Sequence, residues 1–429
     1  MNGFIPYLGR PGIRRRLAVV AALTCAAAPG FLLTSCHQRA SPSAGTAGRL
    51  APAPAGPAVP TVRVCLCPAP VERTVISTTG GYVLQLDGRE VFSSRMPLDR
   101  GQVLLQGGRW FLNALELGAG MLGILPTDGV VQHERTTYRG SLRFVPAEAG
   151  GFLVVNYVDL EGYLAGVLAQ ELYPSWSPAA YEALAVAART YAIYQMKTLG
   201  RGRAFDLGSD DGSQVYGGFT AETPKSRQAV QRTFAQVLVC RHGGRRQVFK
   251  AQYSACCGGR TNPAEILRDA PRVQPLSGGQ ACEDCIGCRF YRWGTLRLPK
   301  AEVYQALAGM FPGTRQLGGI RWIQVESATS TGRPVWVTVY GKSGFGLQLR
   351  AEDLRVALLR SGQPAMPRLP SMNCRIVDAG DFLEFSEGRG FGHGVGLCQW
   401  GAQGKALKGW DYRRILDFYY PSSSVIQAY

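Results

Sequence analysis

Between Gly388 and Gly404 the chain reads GRGFGHGVGLCQWGAQG, with glycine at 388, 390, 392, 394 and 396. Glycine at every second position of an extended segment strips one face of side chains, so a ligand or another backbone can come close. Phe391, His393 and Val395 share the other face. Past Leu397 the pattern turns helical and presents Gln399, Trp400 and Gln403 near a helix start. Amides beside an aromatic plane suit a sugar, through hydrogen bonds to hydroxyl or N-acetyl groups and stacking on an apolar ring face. Two readings stand. In one, the bare face leaves room for a saccharide chain beside His393 and Gln399. In the other, the segment is a bulge packed on a helix and His393 is a structural histidine.

The chain of 429 residues carries a net charge of +17. That excess suits an acidic partner: nucleic acid, anionic lipid or carboxylate-bearing wall polymer. The start of the chain favours the last two. Residues 1–36 contain RRRLAVVAALTCAAAPGFLLTSC, an Arg-rich start and an apolar stretch ending in small residues, which is signal-peptide grammar. Pro29-Gly30 makes it a poor spanning helix. Leu33-Thr34-Ser35-Cys36 resembles a bacterial lipobox, so Cys36 is the expected lipidation site; plain cleavage nearby or an uncleaved anchor are the alternatives. An exported protein of the cell envelope, held to the membrane by a lipid anchor, has little use for nucleic acid. Residues 37–60, rich in Pro, Ala, Gly and Ser, read as a tether.

The rest predicts an α+β fold. Residues 61–150 show short alternating runs punctuated by Gly, Pro and Asp, the pattern of a β-rich part. Residues 151–429 form a mixed body around a central helix pair. The first helix of the pair, within 160–174, ends by Pro174; the second, 177–198, opens on Ser177-Pro178 and carries a stripe of Tyr181, Leu184, Ala185, Ala188, Tyr191 and Ala192.

Glu171 lies in the last turn of the first helix among apolar neighbours. A helix C-terminus and desolvation both disfavour an anion, which suits a general acid working near neutral pH. Paired-carboxylate glycoside hydrolysis needs a second acid nearby. Glu161 lies about 15 Å away along the axis at 1.5 Å per residue, and with Asp159 it reads as a charge favoured at a helix start. The chain offers one acid and no obvious partner.

The segments VNYVDLEGYLAGVLAQELYPSWSPAAYEALAVAARTYAIYQ, SQVYGG, YSACCGGRTN and GRGFGHGVGLCQWGAQGKALKGWDYRRILDFYYP follow one another as in the stage II sporulation protein D family (SpoIID/LytB domain), which this chain resembles from about residue 61 to 429. The resemblance implies a peptidoglycan lytic transglycosylase, cleaving the β-1,4 bond between N-acetylmuramic acid and N-acetylglucosamine, with Glu171 as the catalytic acid and no cofactor required for catalysis. The nucleophile is then the muramic acid C6 hydroxyl, so the missing second carboxylate is explained. The matched positions Arg189, Gln214, Tyr253, Ser254, His393 and Gln399 are expected around the glycan groove. The family name also covers non-catalytic wall-binding enhancers of an amidase, which is the second reading and makes an amidase a candidate partner. A cysteine hydrolase built on Cys257 or Cys398 with His393 is a third, with no evident orienting group.

One metal site of sporulation members does not carry over, because the loop FDLGSDDGSQVYGG has neither Cys nor His. A different cluster stands instead. Cys282, Cys285 and Cys288 with Cys257 have the spacing of a structural zinc site, and disulfides or an iron–sulfur cluster are the alternatives.

Overall fold

Alternation after Thr61 buries one face of most strands, as a period of two requires. In the strand Thr61–Cys65 the buried residues include Val62 and Val64. The structure is a computed structural model that describes residues 58–67, 69–198, 202–210, 212–362 and 367–429. The leader 1–36 with Cys36, and all but the last three residues of the tether, lie outside the described residues. No described helix is long and apolar enough to cross a membrane.

Two sheets form the β-rich part. One runs, in spatial order, 207–208, 61–65, 152–159, 141–146, 122–126, 82–86 and 89–94; the other 136–138, 131–133, 73–78, 101–106, 109–112 and 115–118. All of these pairings are antiparallel except the short one between Val64 and Leu207. Trp110 of the second sheet is fully buried and stands edge-on to Phe152 of the first, with centroids 5.1 Å apart. No seam falls at residue 150: strands 141–146 and 152–159 pair across it, and one continuous core joins the sheets to the helices.

The strand Phe152–Asp159 leads directly into helix α1, Leu160–Glu171. Asp159 caps it, its carboxylate accepting from the Gly162 N–H at 2.8 Å. Helix α2, Pro178–Thr198, is buried through most of its length, and its alanines at 183, 185, 187, 188 and 192 let neighbouring backbone come close. The strand Gln236–His242 lies against α2, where its Leu238 N–H donates to the Thr190 hydroxyl at 2.8 Å. The C-terminal strand Ser423–Gln427 pairs with it, so the chain end closes on the centre. Residues 296–386 build a second core from Leu298, Val337, Leu354, Leu383 and Phe385. Buried Arg333 of that part donates to Glu352 at 2.9 Å and to the Gly392 carbonyl at 3.3 Å, tying it to the glycine segment.

The glycine segment corrects the saccharide reading. Gly390, Gly392, Gly394 and Gly396 all have φ between +70° and +90°, so the stretch is no plain strand. Its bare face is filled by the protein itself. A Cβ at 388 would stand 2.0 Å from the Trp293 ring, at 390 2.7 Å from the Cys256 carbonyl, and at 396 2.0 Å from the Gln252 carbonyl. Glycine is needed here so that segment 252–262 can lie close, with Tyr253 and Ser254 pairing in parallel with Leu397 and Cys398. Gly396→Ala is therefore expected to cost about 3 kcal/mol, from the left-handed backbone plus overlap, in a denaturant titration. A loss below about 0.5 kcal/mol, the level of a neutral surface change, would show that the close approach is not rigid.

Candidate active site

Glu171 closes the buried stripe of α1 formed by Leu160, Leu164, Val167 and Leu168. Its i−7, i−4 and i−3 spacing to the last three turns the side chain inward, and it is 1% exposed. Pro174 forbids another turn, and Leu172 already has extended backbone, φ −126° and ψ 148°. The carboxyl thus ends a helix inside the protein.

Three segments meet it. The Gln399 side-chain amide, at the first position of the helix Gln399–Leu407, donates to Oε2 at 2.9 Å. The backbone N–H of Val215, in SQVYGG, donates to Oε1 at 3.3 Å, and the Tyr253 hydroxyl donates to the same oxygen at 3.5 Å. Behind them, the Gln214 amide donates to the Tyr253 hydroxyl at 3.0 Å and its carbonyl accepts from the Tyr163 hydroxyl of α1 at 3.1 Å. Burial, and then the nearby Glu171, push the Tyr253 phenol well above its ordinary pKa, so it stays protonated and can donate. Burial disfavours a carboxylate, and these N–H and O–H donors offset part of that cost. Among the described residues the other buried carboxyls, Glu182, Asp206, Glu352 and Asp353, are each committed to an arginine.

Aromatic rings lie beside this carboxyl in sequence and cluster in space. Tyr173, Trp176 and Trp400 have centroids 5.1 to 5.8 Å apart, with Trp176 buried and the other two partly exposed. In the sequence Tyr173 and Trp176 read only as apolar neighbours of Glu171, and Trp400 stands far along the chain from both. The signal was present in ELYPSW, two aromatics within five residues of the acid.

Other residues expected at the groove lie elsewhere. Arg189 is fully buried and faces the opposite end of α1, where its guanidinium grips Glu161 at 2.6 and 2.8 Å and donates to the Gln236 carbonyl at 3.1 Å. It ties α2 to α1 and the strand Gln236–His242. Ser254 and His393 are also fully buried. The Ser254 hydroxyl accepts from the Gly394 N–H at 3.0 Å, and His393 Nδ1 from the Val395 N–H at 2.9 Å. Both hold the turns of the glycine segment, and burial, with Arg333 and Arg355 adding to it, keeps the imidazole pKa well below its ordinary value. Gln214 stands behind Tyr253. Of the expected groove residues, Tyr253 and Gln399 reach Glu171.

The cysteine expectation needs one exchange. The sulfurs of Cys257, Cys282, Cys285 and Cys398 lie within 4.8 Å of one another. Cys288 is buried but outside this group. Cys398 takes its place because the parallel pairing with residue 254 carries it to the Cys256-Cys257 turn.

Arg189→Ala is expected to lose about 3–5 kcal/mol of stability, since it leaves the partly buried Glu161 carboxylate without its cation. Chemical denaturation checks this, and a loss below about 0.5 kcal/mol, the level of a neutral surface change, would show that the pair does not hold the two helices together. For His393 the sign follows from a pKa lower in the folded than in the unfolded protein. The unfolded chain takes up a proton below about pH 6.5 that the native one does not, so stability is lost as the pH is lowered, by up to about 1.4 kcal/mol per unit. His393→Gln should flatten that slope in urea titrations between pH 6.5 and 5; an unchanged slope would show that the ring protonates in the native state.

Comparison with known proteins finds one family match and several relatives. A family model described as stage II sporulation protein matches residues 148–240, the stretch holding α1, α2 and SQVYGG. An uncharacterized protein of Brachyspira hyodysenteriae is 33% identical over 292 residues, covering 67% of this chain and 72% of that protein. The stage II sporulation protein D of Bacillus subtilis is 24% identical over 288 residues, 64% of this chain and 76% of its own. The amidase enhancer of the same organism is 24% identical over 293 residues, 61% of this chain but only 40% of the enhancer.

Proposed function

This chain belongs to the stage II sporulation protein D family, and from that premise we propose that it is an exported lytic transglycosylase of peptidoglycan. The observation that carries the reading is Glu171, one buried carboxyl on which three separate family motifs supply donors. In the first half of the reaction Glu171 gives its proton to the bridging oxygen as the bond from muramic acid C1 breaks. In the second half the carboxylate takes the proton of the C6 hydroxyl of the same sugar, whose oxygen closes on C1 as the 1,6-anhydro bond. No water is consumed, and the acid ends as it began. Gln399, Val215 and Tyr253 steady the carboxylate between the halves, in a site where fixed dipoles replace water. The partly exposed Tyr173 and Trp400 offer faces for stacking sugar rings. A net charge of +17 suits an anionic wall polymer, and the leader with Cys36 would deliver the protein to it as a lipoprotein.

Similarity to an amidase enhancer supports a second reading, a wall-binding partner of an amidase that cleaves nothing itself. Digestion of purified, peptide-free glycan strands separates the two. Wild type is expected to produce anhydro-muramic ends by mass spectrometry, and Glu171→Gln, which keeps the shape, to lower the rate about 10²–10⁴-fold. Reducing ends would make the protein a hydrolase. Strands left intact by wild type, together with faster wall digestion by an added amidase, would overturn the transglycosylase reading in favour of the enhancer.

A further inference from the structure

We infer that Cys257, Cys282, Cys285 and Cys398 form a structural zinc site of four thiolates, joining the cysteine loop to the helix that carries Gln399. All four side chains are buried, and their sulfurs lie within 4.8 Å of one another. The Cys257 and Cys285 sulfurs are 3.7 Å apart. Four thiolates about 2.3 Å from a central zinc form a tetrahedron with edges of about 3.8 Å. Atoms this close leave space for one ion and none for the inorganic sulfides that an iron–sulfur cluster interposes between its ligands.

The surroundings are those of a thiolate centre. Sulfur ligands need N–H or O–H donors to spread their charge. Cys398 Sγ accepts from the backbone N–H groups of Cys257 and Gly401, both at 3.3 Å, and Cys282 Sγ lies 3.0 Å from the Tyr419 hydroxyl. Gly401 is bare for the same reason, since a Cβ there would stand 2.4 Å from Cys282 Sγ. Outside the cluster, Lys405 of the same helix pairs with Asp284 at 2.7 Å, so the loop and the helix are held a second time.

The position gives the site a task. Cys398 directly precedes Gln399, and Cys257 follows Tyr253 by four residues. An ion binding both cysteines fixes the backbone from which two of the Glu171 donors project. The assignment itself does not rest on the transglycosylase reading, because its test measures metal and not cleavage.

Full-length protein purified under reducing conditions is expected to hold about one zinc per chain by elemental analysis. Cys282→Ser and Cys398→Ser should lose it, while Cys288→Ser should retain it. Because the first two variants are open to misfolding, cobalt is substituted for zinc in the wild type and in Cys288→Ser. Both should then show the thiolate-to-cobalt charge-transfer and visible bands of a tetrahedral four-sulfur site. A zinc-free chain with those thiols oxidised in pairs, iron with acid-labile sulfide, or loss of metal in Cys288→Ser would each overturn the assignment.

Discussion

The close approach of the glycine segment to residues 252–262 is the constraint on which the site depends. Backbone hydrogen bonds from Cys256 to Phe391, from Asn262 to Gly394 and from Leu397 to Gln252 run along this seam, at 2.8 to 3.1 Å. Side chains at 390, 394 or 396 would collide with backbone or amide groups across it. The seam sets Tyr253 beside Leu397 and delivers the start of the helix Gln399–Leu407 to the end of α1. Without it, Glu171 would lose contact with Gln399 and the two halves of the cysteine cluster would separate.

The second organising element is the way α1 is held at both ends. Its start is fixed by the Asp159 cap and by Glu161 in the grip of Arg189. Its end is fixed by donors arriving at Glu171 from three directions. A bidentate ion pair with a buried arginine is strong only while both partners stay, so the rigidity of the helix and the aim of its last carboxyl are linked. An acid that must protonate a defined oxygen gains more from such fixation than from affinity, because a misplacement of about 1 Å can cost a hundredfold in rate.

The same residue types serve different ends according to burial. The sequence offers a histidine, an arginine and a serine in motif positions, and each could have been read as touching a ligand. In the fold, all three are spent on structure: Arg189 on a helix pair, Ser254 and His393 on turns of the glycine segment. Tyr253 and Gln399 are equally buried, yet their polar atoms face the carboxyl. Residues that frame a catalytic group need not meet the substrate.

Much of this was already determined along the chain. Periodicity and terminal residues marked the strands after Thr61, α1 with Asp159 at its start and α2 with Pro178, because these elements rest on local spacing and local hydrogen bonds. The inward turn of Glu171 is local too, being set by its place on the stripe of α1. Its partners are not. They lie 44, 82 and 228 residues away, and no periodicity links them to it. Nor could spacing alone show that Cys398, and not Cys288, stands fourth among the sulfurs, or that the blank face of the glycines is filled by the protein's own backbone. Those outcomes follow from which distant segments pair, and pairing is decided by the packing of the whole chain.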